Sequence, residues 1–590
     1  MLEIRINWLL TVSRVGVLTY MACLLNGMAF AQDVPVAAAV QAESVAGAAS
    51  EIPVGAMAAD EQLVDVALPV PGALQLEAMG ARIGDIEFQV DDVFDANNPK
   101  ESGVAYRTAN FLHINTQAST LRPQLLFKTG DVYSLQVMVE TARNLRARRY
   151  VDEASVTPLR YHPETNTVDV LVRTHDVWTL NPGVSAGRSG GESSSGFQLE
   201  ESNLLGLGKA VQAEHSKNVD RSLWKFSYED PNVLSTRWEM DIDYYLASDG
   251  GTKGISIDHP FYSLDTRWSA SAQAAHETRT ERRFEQGEVV DQWHTMQNTF
   301  DVQGGWSTGR VESGWRSPWV LRGTLGYSVD NLYYSPDAEL GTTDLPSNQR
   351  LRYPWFGVSW FEDRYVVTRN RDRIERTEDL FLGRSVSLTA GYASPSLGAD
   401  RTAWVIDLQL LDAYQPGEGH EMVVHAGVTG RREADEWRGA IFDSGLRYDW
   451  RQSSHYRFVM KFDYAHSENL DDAQQLYLGS DEGLRGYPLR YRSGTQRGVL
   501  TLEQRYYSRV QILRLLSVGA AAFVDTGLIS GQKEATASTQ KIFSDVGLGL
   551  RLGNIRSSRG DVFHLDLAYP VNAPREDRKV QFSVITEHSF

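Results

Sequence analysis

The chain of 590 residues has a single cysteine, Cys23. It lies within an apolar stretch, Val15 to Leu25, that follows Arg5 and Arg14 and leads to the small-x-small site Ala29-Phe30-Ala31 ahead of Gln32. That arrangement reads as a secretory signal over residues 1–31, removed on export. The apolar run continues past Cys23 through Leu24 and Leu25, which argues against a lipid-anchored cysteine. The mature chain then holds no thiol, so disulfide and thiolate chemistry are excluded. Past the signal, nothing approaches the roughly 20 consecutive apolar residues of a membrane-spanning helix. Basic excess is lacking too: 76 acidic side chains stand against 58 basic ones, which argues against a nucleic-acid partner.

Catalytic signatures are equally scarce. Gly187-Arg188-Ser189-Gly190-Gly191 fits G-x-S-x-G formally, but it falls between two β runs instead of on a strand-to-helix turn. The segment His420-Glu421-Met422-Val423-Val424-His425 is one residue too long for a zinc-protease motif, and on a strand its two histidines point to opposite faces. No P-loop, dinucleotide fingerprint or Cys/His cluster is present. The chain is therefore read as a non-enzyme without a cofactor.

Aromatic residues are plentiful: 14 Trp and 25 Tyr, with aromatics at 10% overall, yet mean hydropathy is −0.35. Such a combination suits a barrel that faces lipid outside and water inside. The length itself calls for two or more units. Residues 32–82, rich in Ala, Val, Pro and Glu, read as a low-complexity linker, with a short helix conceivable near 60–68. Residues 83–180 read as a small α/β unit. In it Ile86, Phe88 and Val90 alternate on a strand, Ser119 to Leu126 forms a short helix, and Leu135 to Leu145 a longer one. Ala154 to Leu159 and Thr167 to Val172 complete a strand pair. Arg143, Arg146, Arg148 and Arg149 around the longer helix are open to two readings, a solvated face or a partner-binding one.

From 181 to 590 the pattern is β throughout. Met240, Ile242 and Tyr244 share one face while Glu239, Asp241 and Asp243 share the other. Tyr456, Phe458, Met460 and Phe462 oppose Arg457, Lys461 and Asp463, and Phe563, Leu565, Leu567 and Tyr569 oppose His564 and Asp566. Ionised residues alternating with aromatics at period two fit strands between lipid and a wet lumen. The expected fold class is an all-β transmembrane barrel of 16 antiparallel strands behind a small α/β domain, at roughly 26 residues per strand with its connection. By inspection nearer twenty alternating runs can be drawn, the surplus being assigned to extensions or to hairpins in loops. The charged run Arg369 to Arg376 is read as a solvated loop, ahead of anionic-lipid contact or lumen lining.

Two short segments are the most informative. Leu484-Arg485-Gly486-Tyr487-Pro488 places a cation on a Gly-Tyr turn, and Phe523-Val524-Asp525-Thr526-Gly527 places a carboxylate at the end of an apolar run. Buried, each charge needs the other. With Gly196-Phe197-x-Leu199-x-Glu201-x-Asn203-Leu204-Leu205-Gly206-Leu207-Gly208, Asp230-Pro231, His259-Pro260-Phe261 and the final Phe590, they make the chain from about residue 83 onward resemble the BamA/TamA family of outer-membrane assembly and translocation barrels, also called the bacterial surface antigen family. Residues 83–180 resemble a single POTRA (polypeptide-transport-associated) domain.

The resemblance implies a Gram-negative outer-membrane location with the POTRA-like domain in the periplasm. It also implies roles. Arg485, on a long sixth extracellular loop, folds into the lumen onto Asp525 of the thirteenth strand, with Glu503 of the twelfth as second acceptor. Gly486 permits the close turn, Tyr487 packs on the wall, and Gly527 completes the strand motif. Phe582, Val584 and Phe590 form the barrel-assembly signal, although Thr586 and His588 depart from its pattern. The first strand, near Val184 to Arg188, is poor in bulky apolar residues, as a loosely paired seam requires. The function implied is insertion or translocation of an unfolded or secreted client protein, or of lipid, through that seam. The partners implied are outer-membrane lipid or lipopolysaccharide, the client, and a periplasmic partner at the POTRA-like domain. Two alternatives stand: a two-partner-secretion-like pore, and a static barrel anchoring a periplasmic binding domain.

Overall fold

A computed structural model describes residues 70–590, apart from positions 100, 286, 313, 315–316, 338–344, 373, 375–376, 472–473, 514, 532–541, 557–561 and 588–590. The signal, the short helix considered at 60–68 and Phe590 lie outside the described residues.

The N-terminal unit starts earlier than the composition implies. A helix α1 (Ala73–Ala78) precedes β1 (Arg82–Asp91), and its Leu76 is fully buried in the unit's core. Then come α2 (Val104–Leu112), α3 (Ala118–Leu121), α4 (Leu135–Arg146), β2 (Val151–His162) and β3 (Thr167–Asp176). The sheet order is β1-β3-β2, with β1 parallel to β3 and β2 antiparallel to it. Central placement explains why β3 carries the valines: Val168, Val170 and Val172 are all fully buried, as a strand paired on both sides demands. Helix α4 covers them with Met138, Ala142 and Leu145, a stripe at helical spacing. Helix α2 has no counterpart in the sequence reading. Its half-buried positions are Tyr106, which packs on Phe94, and Ala109 and Asn110, so a single aromatic and no apolar period points inward.

Residues 180–587 build one closed barrel of twenty strands, each antiparallel to its neighbours. The expectation of sixteen undercounts because strand length is uneven. Six strands of 8–10 residues occupy Leu180 to His259, joined by short connections, whereas the eighth, Glu288–Val311, has 24 residues. Hairpins in loops do exist, Tyr365–Arg369 with Thr377–Phe381 and Leu476–Leu478 with Arg492–Gly494, but they come in addition to the twenty. The alternation falls as read. Ile242, Tyr244, Phe462, Leu567 and Tyr569 are exposed on the outer surface, while Arg457, His564 and Asp566 are buried inside. No helix among the described residues is long and apolar enough to cross a membrane.

The N-terminal unit sits at the end of the barrel where strands one and twenty begin and finish; we call it the proximal end. The basic face of α4 meets the barrel there instead of solvent. Arg146 holds both oxygens of Asp379 at 3.0 and 2.5 Å, Arg148 reaches Glu239, and Arg149 reaches Glu200 and Glu229. Glu140, pushed up to about 7 by burial, accepts the backbone N–H of Leu264 at 2.8 Å. The motif glycines also serve this contact. Gly206 adopts φ +74 and a Cβ on it would sit 2.4 Å from the Asn115 carbonyl, so only glycine lets the turn approach the unit.

Candidate functional site

The connection between the fifteenth strand (Tyr456–Glu468) and the sixteenth (Gln496–Ile512) leaves the distal end and folds back into the lumen. In a twenty-strand barrel it is the eighth distal connection, not the sixth, and Glu503 and Asp525 lie on the sixteenth and seventeenth strands. Arg485 donates from Nε and Nη2 to the two oxygens of Asp525, at 2.8 and 3.0 Å, and from Nη1 to Glu503 at 2.9 Å. Its guanidinium lies 3.3 Å from the centroid of the Phe523 ring. A planar fork can meet two carboxylates and a ring face at once, which an ammonium cannot.

The neighbours complete the seat. Gly486 donates its N–H to Asp545 at 3.0 Å, and a Cβ there would fall 2.6 Å from the Asp545 Cβ; close approach, not a left-handed backbone, selects the glycine. Tyr487 is fully buried and donates its hydroxyl to Asn572 at 2.8 Å, with its ring against Tyr491 and Phe543. Gly527 lies under Leu478 and Leu484 of the inserted loop. Residues 484–487, 503, 525 and 527 thus meet in one place.

A second insertion, which the sequence reading missed, enters from the proximal end. Between the tenth strand (Gln349–Glu362) and the eleventh (Arg384–Ala393) the chain forms a hairpin whose base packs Tyr365 and Phe381 against Leu264, Val320 and Phe361. The described residues of the run read as a solvated loop, Arg369 to Asp372 and Ile374, lie at its tip, inside the barrel. Arg371 donates to Glu421 at 3.1 Å, Asp372 accepts from Arg447 at 2.8 Å, and Ile374 packs on Tyr507 and Val562. Arg373, Glu375 and Arg376 are outside the described residues. A charged run says nothing of its partners when those, Glu421 and Arg447, stand 50 and more positions away.

The two insertions meet through the wall. Glu503 accepts Arg485 on one oxygen and Arg505 Nε on the other at 2.9 Å, and Arg505 Nη1 donates to the backbone carbonyl of Arg371 at 3.1 Å. Arg551 and Asp566 pair beside them, as do Arg457 and Asp449. Among the described residues, Arg371, Arg447, Arg457, Arg485, Arg505 and Arg551 interlock in the lumen with Asp372, Glu421, Asp449, Glu503, Asp525 and Asp566. Pairing of opposite charges is what makes such burial tolerable.

Among the described residues, the closure between the last strand (Gln581–Glu587) and the first (Leu180–Ser189) has the fewest facing pairs in the barrel. Val584 and Arg188 are its single facing pair among those residues, whereas the first and second strands pair over ten positions. The inserted loop touches both sides of this seam at the distal end. Asp481 accepts the Ser189 hydroxyl at 2.8 Å and Gly190 receives the N–H of Leu489. Across the seam, Tyr487 and Tyr491 bond Asn572 and Asp577 of the connection into the last strand. Ser189, the serine of the G-x-S-x-G match, thus ends a strand and ties down a loop. Phe582 is exposed on the outer surface and Val584 stands at the seam.

A closed antiparallel barrel with an apolar exterior and a buried charged interior is a membrane barrel of the outer-membrane type. No family model matches the chain. Among curated proteins, one from Treponema pallidum (strain Nichols), provisionally named an outer membrane protein assembly factor, is 25% identical over 207 residues, 32% of this chain and 24% of its own length. The chain thus aligns with about a quarter of that relative. Among solved structures, CdiB from Escherichia coli is 13% identical with a TM-score of 0.45, covering 86% of this chain and 77% of that one. BamA from Haemophilus ducreyi lacking POTRA domains 1–3 is 12% identical with a TM-score of 0.35, covering 86% and 85%. The curated match is in keeping with an outer-membrane barrel, and the motifs resemble those of the BamA/TamA barrels.

Proposed function

We propose that the protein is an outer-membrane assembly or translocation barrel that handles an unfolded client protein at the seam between its first and last strands. The observation that carries the reading is that seam: one facing pair among the described residues, held at its distal end by a loop whose own anchor is Arg485 on Asp525 and Glu503. A strand entering lipid needs partners for every backbone group. A barrel edge that parts easily supplies them, and the surrounding strands stay closed.

In this reading the N-terminal unit is the POTRA-like domain in the periplasm, and the inserted loop acts as a lid from the outer side. Lipid or lipopolysaccharide surrounds the seam, and the client or a periplasmic partner arrives at the N-terminal unit. The proximal hairpin links the two ends. Arg146 of α4 holds Asp379 at its base, Glu153 of β2 bonds Thr377, and the tip reaches Arg505 and so Glu503 and the lid. A lumen occupied from both ends favours the seam over the lumen as the client's route.

Reconstitution tests this. Liposomes carrying the protein are given an unfolded, labelled outer-membrane barrel, and folding is followed by heat-modifiable mobility and protease protection. Faster folding than in empty liposomes supports assembly. Full protease protection of a soluble secreted substrate without barrel folding supports the pore alternative. Neither effect leaves the static anchor.

A further inference from the structure

We infer that three turn leucines at the proximal end, Leu205, Leu234 and Leu513, together with the outer face of α2, form an anchor that inserts into the lipid interface around the seam. The inference rests on the barrel crossing a membrane and not on client handling, so either can fail without the other.

The leucines occupy the connections after the second, fourth and sixteenth strands, all at the same end. Each has a left-handed backbone, with φ of +55, +52 and +50, and each is exposed, at 57, 90 and 73%. A branched side chain with a Cβ is disfavoured there, and turns that face water use glycine, asparagine or aspartate at such positions. The residue choice therefore answers to something other than the turn.

Two of the turns are built alike. Asn203 and Asn232 each precede the turn with nearly the same backbone, φ −146, ψ 53 and φ −150, ψ 64, and each side chain bonds a main-chain group further on, at Gly208 and Thr236. The asparagine holds the turn and the leucine is presented outward, twice.

Each leucine also continues the apolar exterior of its barrel strand: Leu199 leads toward Leu205, Ile242 lies past Leu234, and Ile512 adjoins Leu513, all exposed. At Leu513 the row passes to the N-terminal unit. The Tyr106 hydroxyl donates to the Leu513 carbonyl at 3.4 Å, and the face of α2 opposite Tyr106 shows Phe111 and Leu112, 86 and 65% exposed. Helix α2 buries none of its residues fully in protein. Other short turns of the barrel are polar or glycine-rich, such as Gly190-Gly191 and Ser248-Asp249 at the distal end and Glu418-Gly419 and Gln452 to His455 at the proximal end, and left-handed Ala434 at the distal end carries only a methyl group. The leucine turns lie in the sectors flanking the seam, as local contact with a lipid surface requires.

The test uses the full mature chain, free of Cys23, with one cysteine at position 205, 234, 513 or 111 carrying an environment-sensitive nitrobenzoxadiazole dye. Glu164→Cys, on an exposed turn of the N-terminal unit, is the reference. The protein sits in nanodiscs of phosphatidylcholine and phosphatidylglycerol, with and without doxyl-labelled lipid. Blue-shifted emission and at least twofold stronger lipid quenching than the reference are expected at 205, 234 and 513, with 111 similar. Emission and quenching equal to the reference at these sites would overturn the inference. So would a blue shift that needs an added protein, since the surface would then dock a protein partner.

Discussion

Ser189, the last residue of the first barrel strand, donates its hydroxyl to Asp481 of the inserted loop at 2.8 Å. Four residues along the same loop, Arg485 is locked to Asp525 and Glu503 in the middle of the lumen. The loop thus joins the edge of the first strand to the charged cluster in the interior. Opening the seam at the distal end requires either breaking the Ser189 contact or moving the loop with it.

Arg485→Ala leaves Asp525 and Glu503 without their shared cation, a loss on the order of 3–5 kcal/mol for a buried pair broken on one side. The expected outcome is a loop cleaved faster by protease and a noisier conductance, with normal barrel yield. Arg485→Lys keeps the charge but not the fork, and falls between. Identical proteolysis and conductance noise in wild type and Arg485→Ala would rule out the lid.

Asp481→Ala removes the tie between loop and first strand and leaves the Arg485 lock intact. Backbone amides of residues 184–189 should exchange hydrogen for deuterium faster, while those around Asp525 keep their wild-type rates. Equal acceleration in both regions would mean that the loop does not hold the strand locally.

The hairpin makes a separate prediction. Arg146→Ala frees Asp379 at the hairpin base, 2.5 Å away in the wild type, and should loosen the inserted loop through Arg371, Arg505 and Glu503. Combined with Arg485→Ala, the effects on loop opening, read by limited proteolysis, should deviate from additivity by more than about 0.5 kcal/mol. Simple addition would make the two ends of the lumen independent.

Acidity should also act on the loop. Burial pushes Glu482 up to about 7 from an ordinary 4.5, with Asp481 adding to the push and Arg497 and Arg490 opposing it, and one carboxylate oxygen is buried without a hydrogen-bond partner. The closed loop therefore binds a proton that the open loop, with an ordinary value, releases. Closure is strongest below the ordinary value and weakens as pH rises toward about 7. Loop cleavage relative to Glu482→Gln should rise between about pH 5 and 7, by up to roughly tenfold per pH unit, and level off above that. A ratio flat over that range would contradict the protonated, closed form.

Much of this arrangement is legible in the sequence because it depends on period and on paired charge. Ile242 and Tyr244 against Asp241 and Asp243 declare a wall between lipid and water, and the Arg485 and Asp525 motifs meet as their chemistry asks. What is not legible depends on distance along the chain. Nothing near Arg371 hints that Glu421 awaits it, so a lumen hairpin looks like a charged loop. Helix α2 is hidden for the opposite reason: its apolar residues, Phe111 and Leu112, point away from the protein. Strand number is hidden by the unequal lengths of the strands, 8–10 residues before residue 260 and from 7 to 24 after it.

The most direct test is to lock the seam. Val584 and Arg188 face each other across it, and without Cys23 no other thiol is present, so the pair Arg188→Cys with Val584→Cys forms a disulfide without background. Cells carrying the locked protein are profiled for outer-membrane proteins with and without reductant. The account predicts loss of specific barrel or secreted clients when the bond is formed, and their return when it is reduced. Complete crosslinking with an unchanged client profile would contradict it.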